Sequence, residues 1–369
     1  MLRKSLILVA LLLLAACVDR TRAPVMPAAA EIGTVQPVLT ATLRKPDPET
    51  GWFGAGRADK LRFLALDVSI PPEHRKGRIS NGFDNPDPRR DFTISAREDL
   101  PTQDEFLARL GDAIAQKPAD ARDIVLYVHG YNNTFFDGVY RTAQIAHDFD
   151  LPGVAVHYSW PSAANPLGYT YDRDSTLFAR DGFERLLRAL ARRTDGQVVV
   201  VGHSLGTMLV METLRQIDIA DPGWSQQQIG GVLLISPDLD IELFKTQADR
   251  LAGLPQPFAI FVSSRDRALQ LSARINGAAN RLGNLADPEV LSEYPVTLID
   301  VSEFTTLARG GHFTVGTSPV LISLLNQSGQ LRNAFQKDRA AQAGLLPGTA
   351  ITVKNATQLI LSPHLILQN

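Results

Sequence analysis

Cysteine is the scarcest residue type in this chain: Cys17 is the only one in 369 residues. A single cysteine cannot close an internal disulfide, so the fold must be stabilised by its hydrophobic core. The seven histidines are scattered and form no close pair such as His-x-x-x-His, so their spacing does not predict a metal site. The formal net charge is only −2, which gives no reason to expect a nucleic-acid partner.

Long apolar runs are also missing beyond the first residues of the chain. Two basic residues at positions 3 and 4 precede an apolar run over 7–14 that is too short to span a bilayer as a mature helix. The run leads into L-A-A-C, which ends at Cys17 and resembles the bacterial lipoprotein signal, in which the leader is cut before a cysteine that carries lipid. The alternative is a plain secretory peptide with an incidental cysteine.

The lipoprotein interpretation predicts how the protein meets a membrane. Residues 1–17 form the signal, and Cys17 carries the acyl chains that hold the protein on a membrane of the bacterial cell envelope without spanning it. Val18, rather than an aspartate, follows the cysteine. By analogy with enteric bacteria this favours the outer membrane, at its periplasmic face.

Composition divides the rest of the chain. Residues 18–58 are rich in Ala, Pro, Thr and Gly and predict a tether and an irregular lead-in. Residues 59–326 predict one α/β domain with its core in 120–326, because short apolar strands alternate there with helical patterns. This alternation indicates right-handed crossovers and a mostly parallel, doubly wound sheet with helices on both faces. Residues 327–369 form a C-terminal extension, either a helix and strand packed on the body or a loose tail.

Several predicted elements bound the region of interest. A strand is expected over 61–70, and helices over 137–150, 176–193 and 269–282. After a strand at 154–158, Trp160 and Pro161 are expected to wall a pocket. Four residues before the helix at 176 are interpreted either as the lining of the same cleft or as packing and surface contacts: Tyr169, Tyr171, Asp172 and Arg173.

The most informative stretch is Q-V-V-V-V-G-H-S-L-G, over 197–206. Consecutive valines predict a strand buried on both faces, and an apolar pattern with helical spacing follows. Strand, sharp turn and helix is the setting in which G-x-S-x-G exposes a nucleophilic serine, here Ser204. Gly202 and Gly206 are expected because the helix and the neighbouring strand leave no room for a Cβ.

A serine hydroxyl needs a base, an orienting acid and an oxyanion hole. Only His312 and His364 follow Ser204 in the chain, and His312 is preferred because it lies in a glycine-rich loop after the last strand. Asp266 is the preferred acid because it ends the strand before last, and Asp238, one strand earlier, is the alternative. Whichever carboxylate is not the acid would cap a helix.

The predicted oxyanion hole uses two backbone N–H groups. The first belongs to Leu205, directly after the nucleophile. The second belongs to Tyr131, in the His-Gly-Tyr-Asn-Asn loop that follows the strand at 124–128. His129 opens this loop, and we expect it to organise the loop by hydrogen bonding, since it precedes the serine in the chain.

These motifs together give the chain a family resemblance. It resembles the α/β-hydrolase superfamily over roughly 120–326, and more narrowly a bacterial group of α/β hydrolases of unknown function. The motifs that carry it are V-H-G-Y-N-N at 128–133, Y-S-W-P-S at 158–162, G-H-S-L-G at 202–206, I-S-P-D-L-D at 235–240 and S-S-R-D-R-A-L at 263–269. The resemblance implies a Ser-His-Asp hydrolase that uses no cofactor.

Two functions follow from this reasoning. The first is a membrane-anchored serine hydrolase that cleaves a carboxylic ester, either a small molecule or a lipid; an amide or a thioester would use the same machinery. The second is a non-catalytic envelope lipoprotein that keeps the hydrolase body as a scaffold or binding module. The presence of every catalytic residue type in the expected order favours the first.

Overall fold

A computed structural model of the chain describes residues 20–277, 281–305, 311–327 and 348–361. The predicted signal with Cys17 lies outside these residues, as do His364 and the parts of the C-terminal extension at 328–347 and 362–369. Among the described helices, none combines the length and the apolar character that crossing a bilayer requires.

The described strands form a single sheet. They are β1 (Thr34–Pro46), β2 (Phe53–Ile70), β3 (Thr93–Leu100), β4 (Ile124–Val128), β5 (Val154–Ser159), β6 (Val198–His203), β7 (Ile229–Ile235), β8 (Phe258–Val262), β9 (Thr297–Asp300), β10 (Gly348–Val353) and β11 (Ala356–Leu361). Their order is β10-β11-β9-β8-β7-β6-β4-β5-β1-β2-β3. All neighbours from β11 to β1 are parallel, while β10, β2 and β3 join antiparallel at the two edges.

The described helices connect the parallel strands. They are α1 (Gln103–Ala115), α2 (Phe135–Asp148), α3 (Tyr169–Ala191), α4 (Gly206–Ala220), α5 (Trp224–Gln228), α6 (Ile241–Ala248), α7 (Arg267–Ile275), α8 (Ser302–Thr305), α9 (Thr314–Thr317) and α10 (Pro319–Gln327). β4 and β6 are neighbours in the sheet, and the chain adds later strands on the β6 side after placing β5 on the β4 side. The boundary between β4 and β6 is therefore the switch point of a doubly wound sheet. Ligands of such sheets bind beyond the carboxyl ends of the strands at this point.

The valines of β6 are buried on both faces of the sheet. Side chains alternate along a strand, and every residue of β6 is buried. Val198 and Val200 join a core cluster with α3 and α4, whereas Val199 and Val201 join a second cluster with α10. The predicted mostly parallel sheet with helices on both faces is therefore confirmed.

The expectation of a tether over 18–58 is wrong for its second half. Residues of β1 pair in parallel with β5 and antiparallel with β2, so this segment is part of the sheet. Thr40, Ala41 and Thr42 are fully buried there. Small and hydroxylated residues gave the segment the composition of a linker, but threonine is also a good strand former and small side chains fit a strand covered on both faces.

Three further boundaries differ from the sequence prediction. β2 begins at Phe53 rather than 61, and α3 begins at Tyr169 rather than 176. The first turns of α3 were missed because buried Asp172 and Ser175 occupy inward positions there and interrupt the apolar period. α7 ends at Ile275 because Gly277, at φ +66°, adopts the left-handed conformation that terminates helices.

The C-terminal extension continues the sheet. β10 and β11 form a hairpin, and β11 pairs in parallel with β9. Two strands of this segment therefore belong to the sheet, which extends beyond the predicted domain end at 326, while the expected extra helix falls outside the described residues.

The long segment between β2 and β3 is fastened to α2 by Asp148. This buried carboxylate accepts hydrogen bonds from His74 Nε2 at 2.6 Å, from the Gly77 N–H at 2.6 Å and from Gln144 Nε2 at 2.6 Å, and His147 Nδ1 lies 3.1 Å away. Burial alone would raise the pKa of Asp148, but these donors together hold it below its usual range. The two histidines and Asp148 are close enough to share a metal ion, yet hydrogen bonds account for each ligand atom, and we assign no metal here.

The position of β1 yields a prediction about truncation. A chain that begins at residue 59 lacks β1 and the start of β2, so the apolar surface of β5 and α3 is exposed, and we expect insoluble protein. A chain that begins at residue 20 keeps the whole sheet and should unfold cooperatively on heating. Soluble yield and circular dichroism melting curves measure both. A shorter chain that melts within a few degrees of the longer one would contradict an integral β1.

Candidate active site

Ser204 lies on the sharp turn between β6 and α4. Its φ of 52° is in the left-handed region, which non-glycine residues adopt at a cost of about 1–3 kcal/mol. Hydrogen bonds tie the turn to β7 and the loop after it: the Ser204 N–H donates to Ile235 O at 3.0 Å, and the Asp238 N–H donates to Ser204 O at 3.2 Å. The predicted elbow is therefore present.

Glycines beside the turn allow the surrounding backbone to approach the serine closely. A Cβ on Gly206 would lie 2.3 Å from the His129 carbonyl oxygen, and a Cβ on Gly130 would lie 2.7 Å from the Ser204 Cβ. Neither position can hold a larger residue without movement of the backbone. Gly202 is under less constraint, since its nearest contact would be 3.2 Å from a Val210 methyl group.

His312 and Asp266 complete a hydrogen-bonded chain with the serine. Ser204 Oγ lies 2.7 Å from His312 Nε2, and His312 Nδ1 lies 2.8 Å from Asp266 Oδ2. Because a carboxylate can only accept, Nδ1 carries the proton of a neutral imidazole and Nε2 accepts from the serine hydroxyl. Asp266 is fully buried, whereas a quarter of the His312 side chain is exposed. Substrate can therefore approach the histidine, while water is excluded from the acid.

The Asp266 carboxylate contacts both the start of α7 and the imidazole of His312. Its Oδ1 accepts the N–H groups of Ala268 and Leu269 as the N-cap of α7, which leaves Oδ2 for His312. The sequence had assigned capping and orienting to different carboxylates, but one side chain does both. The carboxylate is fixed by α7, and it fixes the imidazole in turn.

Asp238, the alternative acid, is engaged elsewhere. It accepts hydrogen bonds from Ser272 Oγ at 2.7 Å and Tyr169 OH at 2.9 Å. Arg281 Nε forms an ion pair with it at 3.2 Å. Asp238 thus links α3 to α7 and does not contact His312.

The predicted oxyanion loop emerges beside the elbow. Val128 at the end of β4 pairs with Gly202 of β6, so the residues that follow leave the sheet side by side. The close approach of Gly130 to Ser204 brings Tyr131 to the same edge. Among the hydrogen bonds of the described residues, none uses the N–H of Leu205 or of Tyr131, so within that part of the chain both predicted donors lack an acceptor.

Asp172 holds this loop from the side of α3. Its carboxylate accepts the Asn132 N–H at 3.1 Å, the Ala163 N–H at 2.6 Å and the Ser162 hydroxyl at 2.6 Å. Burial raises the pKa of Asp172, and these donors oppose the shift. The side chain interpreted from sequence as cleft lining or surface is therefore a buried support for the loop.

Arg44 of β1 holds the same loop from beneath. Its guanidinium donates to Asn133 O at 2.7 Å, Ser162 O at 3.0 Å and Ser159 Oγ at 2.9 Å. The residue is 1% exposed, and burial lowers the pKa of Arg44 to about 10, so it stays charged at neutral pH. The fork of an arginine lets one side chain fix several oxygens in a set geometry.

His129 organises the loop, as expected from the sequence. Its Nδ1 lies 2.9 Å from Gly130 O and its Nε2 lies 3.0 Å from Trp160 O, while Trp160 Nε1 donates to His129 O at 2.7 Å. The imidazole also stacks on the Trp160 ring, with centroids 4.8 Å apart. Burial and the nearby Arg44 hold the pKa of His129 well below its usual range. Both residues are buried, so Trp160 packs under the loop rather than lining an open cleft.

Sequence reasoning missed Arg44 altogether, and for Asp172 it missed the supporting role. The signal for Arg44 was faint but present: a single arginine ends the run V-L-T-A-T-L at 38–43, which has the residue types of a buried strand. Asp172 carried no signal of its own, because its role depends on where α3 begins.

Comparisons with known proteins agree with this architecture. A family model described as an alpha/beta hydrolase of unknown function (DUF900) matches residues 103–328. No curated protein matches the chain significantly.

Solved structures of hydrolases are also similar to the chain. A YdeN-like hydrolase from Pectobacterium atrosepticum is 16% identical over 62% of this chain and 98% of its own, with a TM-score of 0.31. Lipase B from Aspergillus fumigatus is 12% identical over 68% of this chain and 64% of its own, with a TM-score of 0.38. The esterase Est2 of Thermogutta terrifontis is 14% identical over 65% of this chain and 76% of its own, with a TM-score of 0.29.

The family match covers more than half of the chain and includes Ser204, Asp266 and His312. It confirms the resemblance drawn from the motifs, and the chain belongs to the DUF900 family of alpha/beta hydrolases.

Proposed function

We propose that the protein is a serine hydrolase that cleaves carboxylic esters through Ser204, His312 and Asp266. The observation that carries the proposal is the continuous hydrogen-bonded chain from Asp266 Oδ2 through the imidazole to Ser204 Oγ, with contacts of 2.8 and 2.7 Å. These distances are those at which a base can take the proton of its nucleophile. The hydrolase family of the chain gives the same reaction class.

The geometry supports a two-step reaction. His312 Nε2 takes the hydroxyl proton as Ser204 Oγ attacks the acyl carbon, and the imidazolium then gives the proton to the departing alcohol. The N–H groups of Leu205 and Tyr131 stabilise the oxyanion, which is the charge that develops in the transition state. Asp266 keeps the imidazole in the required tautomer. Water, activated by His312, then releases the acyl group from the serine.

The proposed location follows from the leader. Acylation of Cys17 would hold the hydrolase on the periplasmic face of the outer membrane, where small-molecule and lipid esters are both within reach. A non-catalytic scaffold remains the competing function, but the alignment of three side chains from separate loops serves no purpose in a scaffold. The strained φ of Ser204 likewise points to catalysis.

Covalent labelling with a fluorophosphonate probe tests the activated serine. We expect wild type to label and Ser204→Ala and His312→Ala not to label, because the probe reacts only with a serine whose proton is removed. Asp266→Asn should slow short-ester turnover by about 10⁴-fold, whereas Asp238→Asn should keep most of it, since Asp238 does not contact His312. Circular dichroism melting verifies that each variant is folded.

Three outcomes would contradict the proposed function or a part of its mechanism. Equal ester turnover by wild type and Ser204→Ala would exclude Ser204 as the nucleophile. A larger loss with Asp238→Asn than with Asp266→Asn would assign the orienting acid to Asp238. Folded wild type that neither labels nor turns over esters would favour the scaffold.

Support of the oxyanion loop by Arg44 generates a second prediction. Arg44→Lys keeps the charge but cannot reach Asn133 O, Ser162 O and Ser159 Oγ together. We expect kcat for a short ester to fall by up to about 10³-fold, the cost of losing one oxyanion donor, with KM little changed because the donors act in the transition state. Steady-state kinetics on the folded variant measure this.

Arg57→Lys is the matched control. Arg57 lies on β2, stacks on the Tyr171 ring and donates to Ser175 Oγ and Tyr171 O without touching the oxyanion loop. Its kcat should stay close to wild type. A rise in KM at unchanged kcat for Arg44→Lys would place Arg44 in substrate binding rather than in support of the loop.

A further inference from the structure

The first described residue of the chain docks beside the candidate active site. Arg20 Nη2 donates to Asn132 Oδ1 at 3.2 Å and to Ala164 O at 3.0 Å, and Nη1 pairs with Asp137 at 3.3 Å. Asn132 belongs to the oxyanion loop. Cys17 precedes Arg20 by three residues, which reach at most about 11 Å when fully extended. Any lipid on Cys17 is therefore tied close to the oxyanion loop.

A second surface at the same site has the chemistry of a membrane contact. α7 begins directly after Asp266, and its outer face exposes Leu271 by 58% and Ile275 by 65%. The same helix and its preceding turn expose arginines at 265, 267 and 274, and α7 contains no acidic residue. An exposed apolar face on a helix that carries arginines and no acidic residue suits the interface of an anionic bilayer.

A third exposed apolar side chain belongs to the segment that connects the Arg20 contact at Ala164 with the α7 contact at Tyr169. Leu167 is 93% exposed, and it follows Pro166, whose carbonyl oxygen accepts the Tyr131 hydroxyl at 2.5 Å. Tyr169, two residues further, contacts Ser272 of α7 through a hydroxyl–hydroxyl distance of 3.1 Å. Arg20, Leu167 and the outer face of α7 thus lie around the candidate active site, and we call the surface that they form the mouth.

We infer that this mouth faces the bilayer, with Leu167 and the outer face of α7 seated in the lipid headgroup region. The inference rests on the proposed hydrolase function for its consequence, which is that the substrate is an ester carried in the membrane. Acyl chains on Cys17 anchor one side of the mouth to the bilayer, and the side chains of Leu271 and Ile275 insert into the headgroup region on the other side. Because α7 starts at Asp266, the surface in contact with lipid is continuous with the orienting acid.

Orientation on vesicles tests the inference without reference to catalysis. Acylation of Cys17 leaves no free thiol, so Leu167→Cys, Leu271→Cys and Ile219→Cys each add one site for an environment-sensitive fluorophore. Each full-length lipidated variant is reconstituted in vesicles of phosphatidylethanolamine and phosphatidylglycerol, with spin-labelled lipid as quencher. Ile219 is the matched control, because it is 54% exposed near the far end of α4, about 20 Å along that helix from the serine turn.

We expect blue-shifted, quenched emission at positions 167 and 271 and aqueous emission at 219. Replacing the anionic lipid by phosphatidylcholine should reduce the shift at 271, since the arginines lose their partner. Equal emission at all three positions would overturn the inference, as would a Cys17 recovered as a free thiol. Fluorophosphonate labelling of the same preparations reports the hydrolase function separately, so a labelled protein with the wrong orientation and an oriented protein without labelling are distinguishable.

Discussion

The close approach of β4 and β6 is the constraint on which the site depends. Their parallel pairing ends at Val128 opposite Gly202, and the turns that follow run against each other with no side chain between them. A Cβ at Gly206 or Gly130 would meet backbone or the serine itself. The nucleophile and the loop proposed to bind the oxyanion therefore have a fixed separation before any other residue is placed. Later strands only bring an acid and a base to this preformed pair.

Buried charge is the second constraint. Arg44 and Asp172 are both buried, and among the described residues each is stabilised by several hydrogen bonds rather than by a direct ion pair. A charge removed from water is tolerated only when its partners are in place. The oxyanion loop and the segment at the end of β5 supply those partners, so these segments and the two charges stabilise one another. This explains how an irregular segment of five residues can be held rigid without regular structure.

The parts of the fold that could be predicted from sequence are those with a strong local period. The β6–α4 elbow was predicted from its valines and glycines, and the order of strands and helices after residue 124 followed from alternating patterns. β1 could not be recognised, because Thr40, Ala41 and Thr42 satisfy a buried strand and a flexible linker equally well. The choice between Asp266 and Asp238 needed geometry, since both follow parallel strands and both can cap a helix. The cluster around Asp148 joins residues 74 and 148, a distance that no local spacing reveals.

The place of β1 in the sheet has a consequence for the order of folding. The Thr42 hydroxyl donates to the carbonyl oxygen of Ser159, 117 residues further along the chain. β1 can therefore pair with β5 only after that later strand has been synthesised. Closing so long a loop is slow, and an unpaired strand invites association with other chains in the meantime. Because Arg44 arrives with β1, the oxyanion loop gains its support only when this strand docks. Competence for chemistry would therefore appear late in folding, after the central strands have assembled.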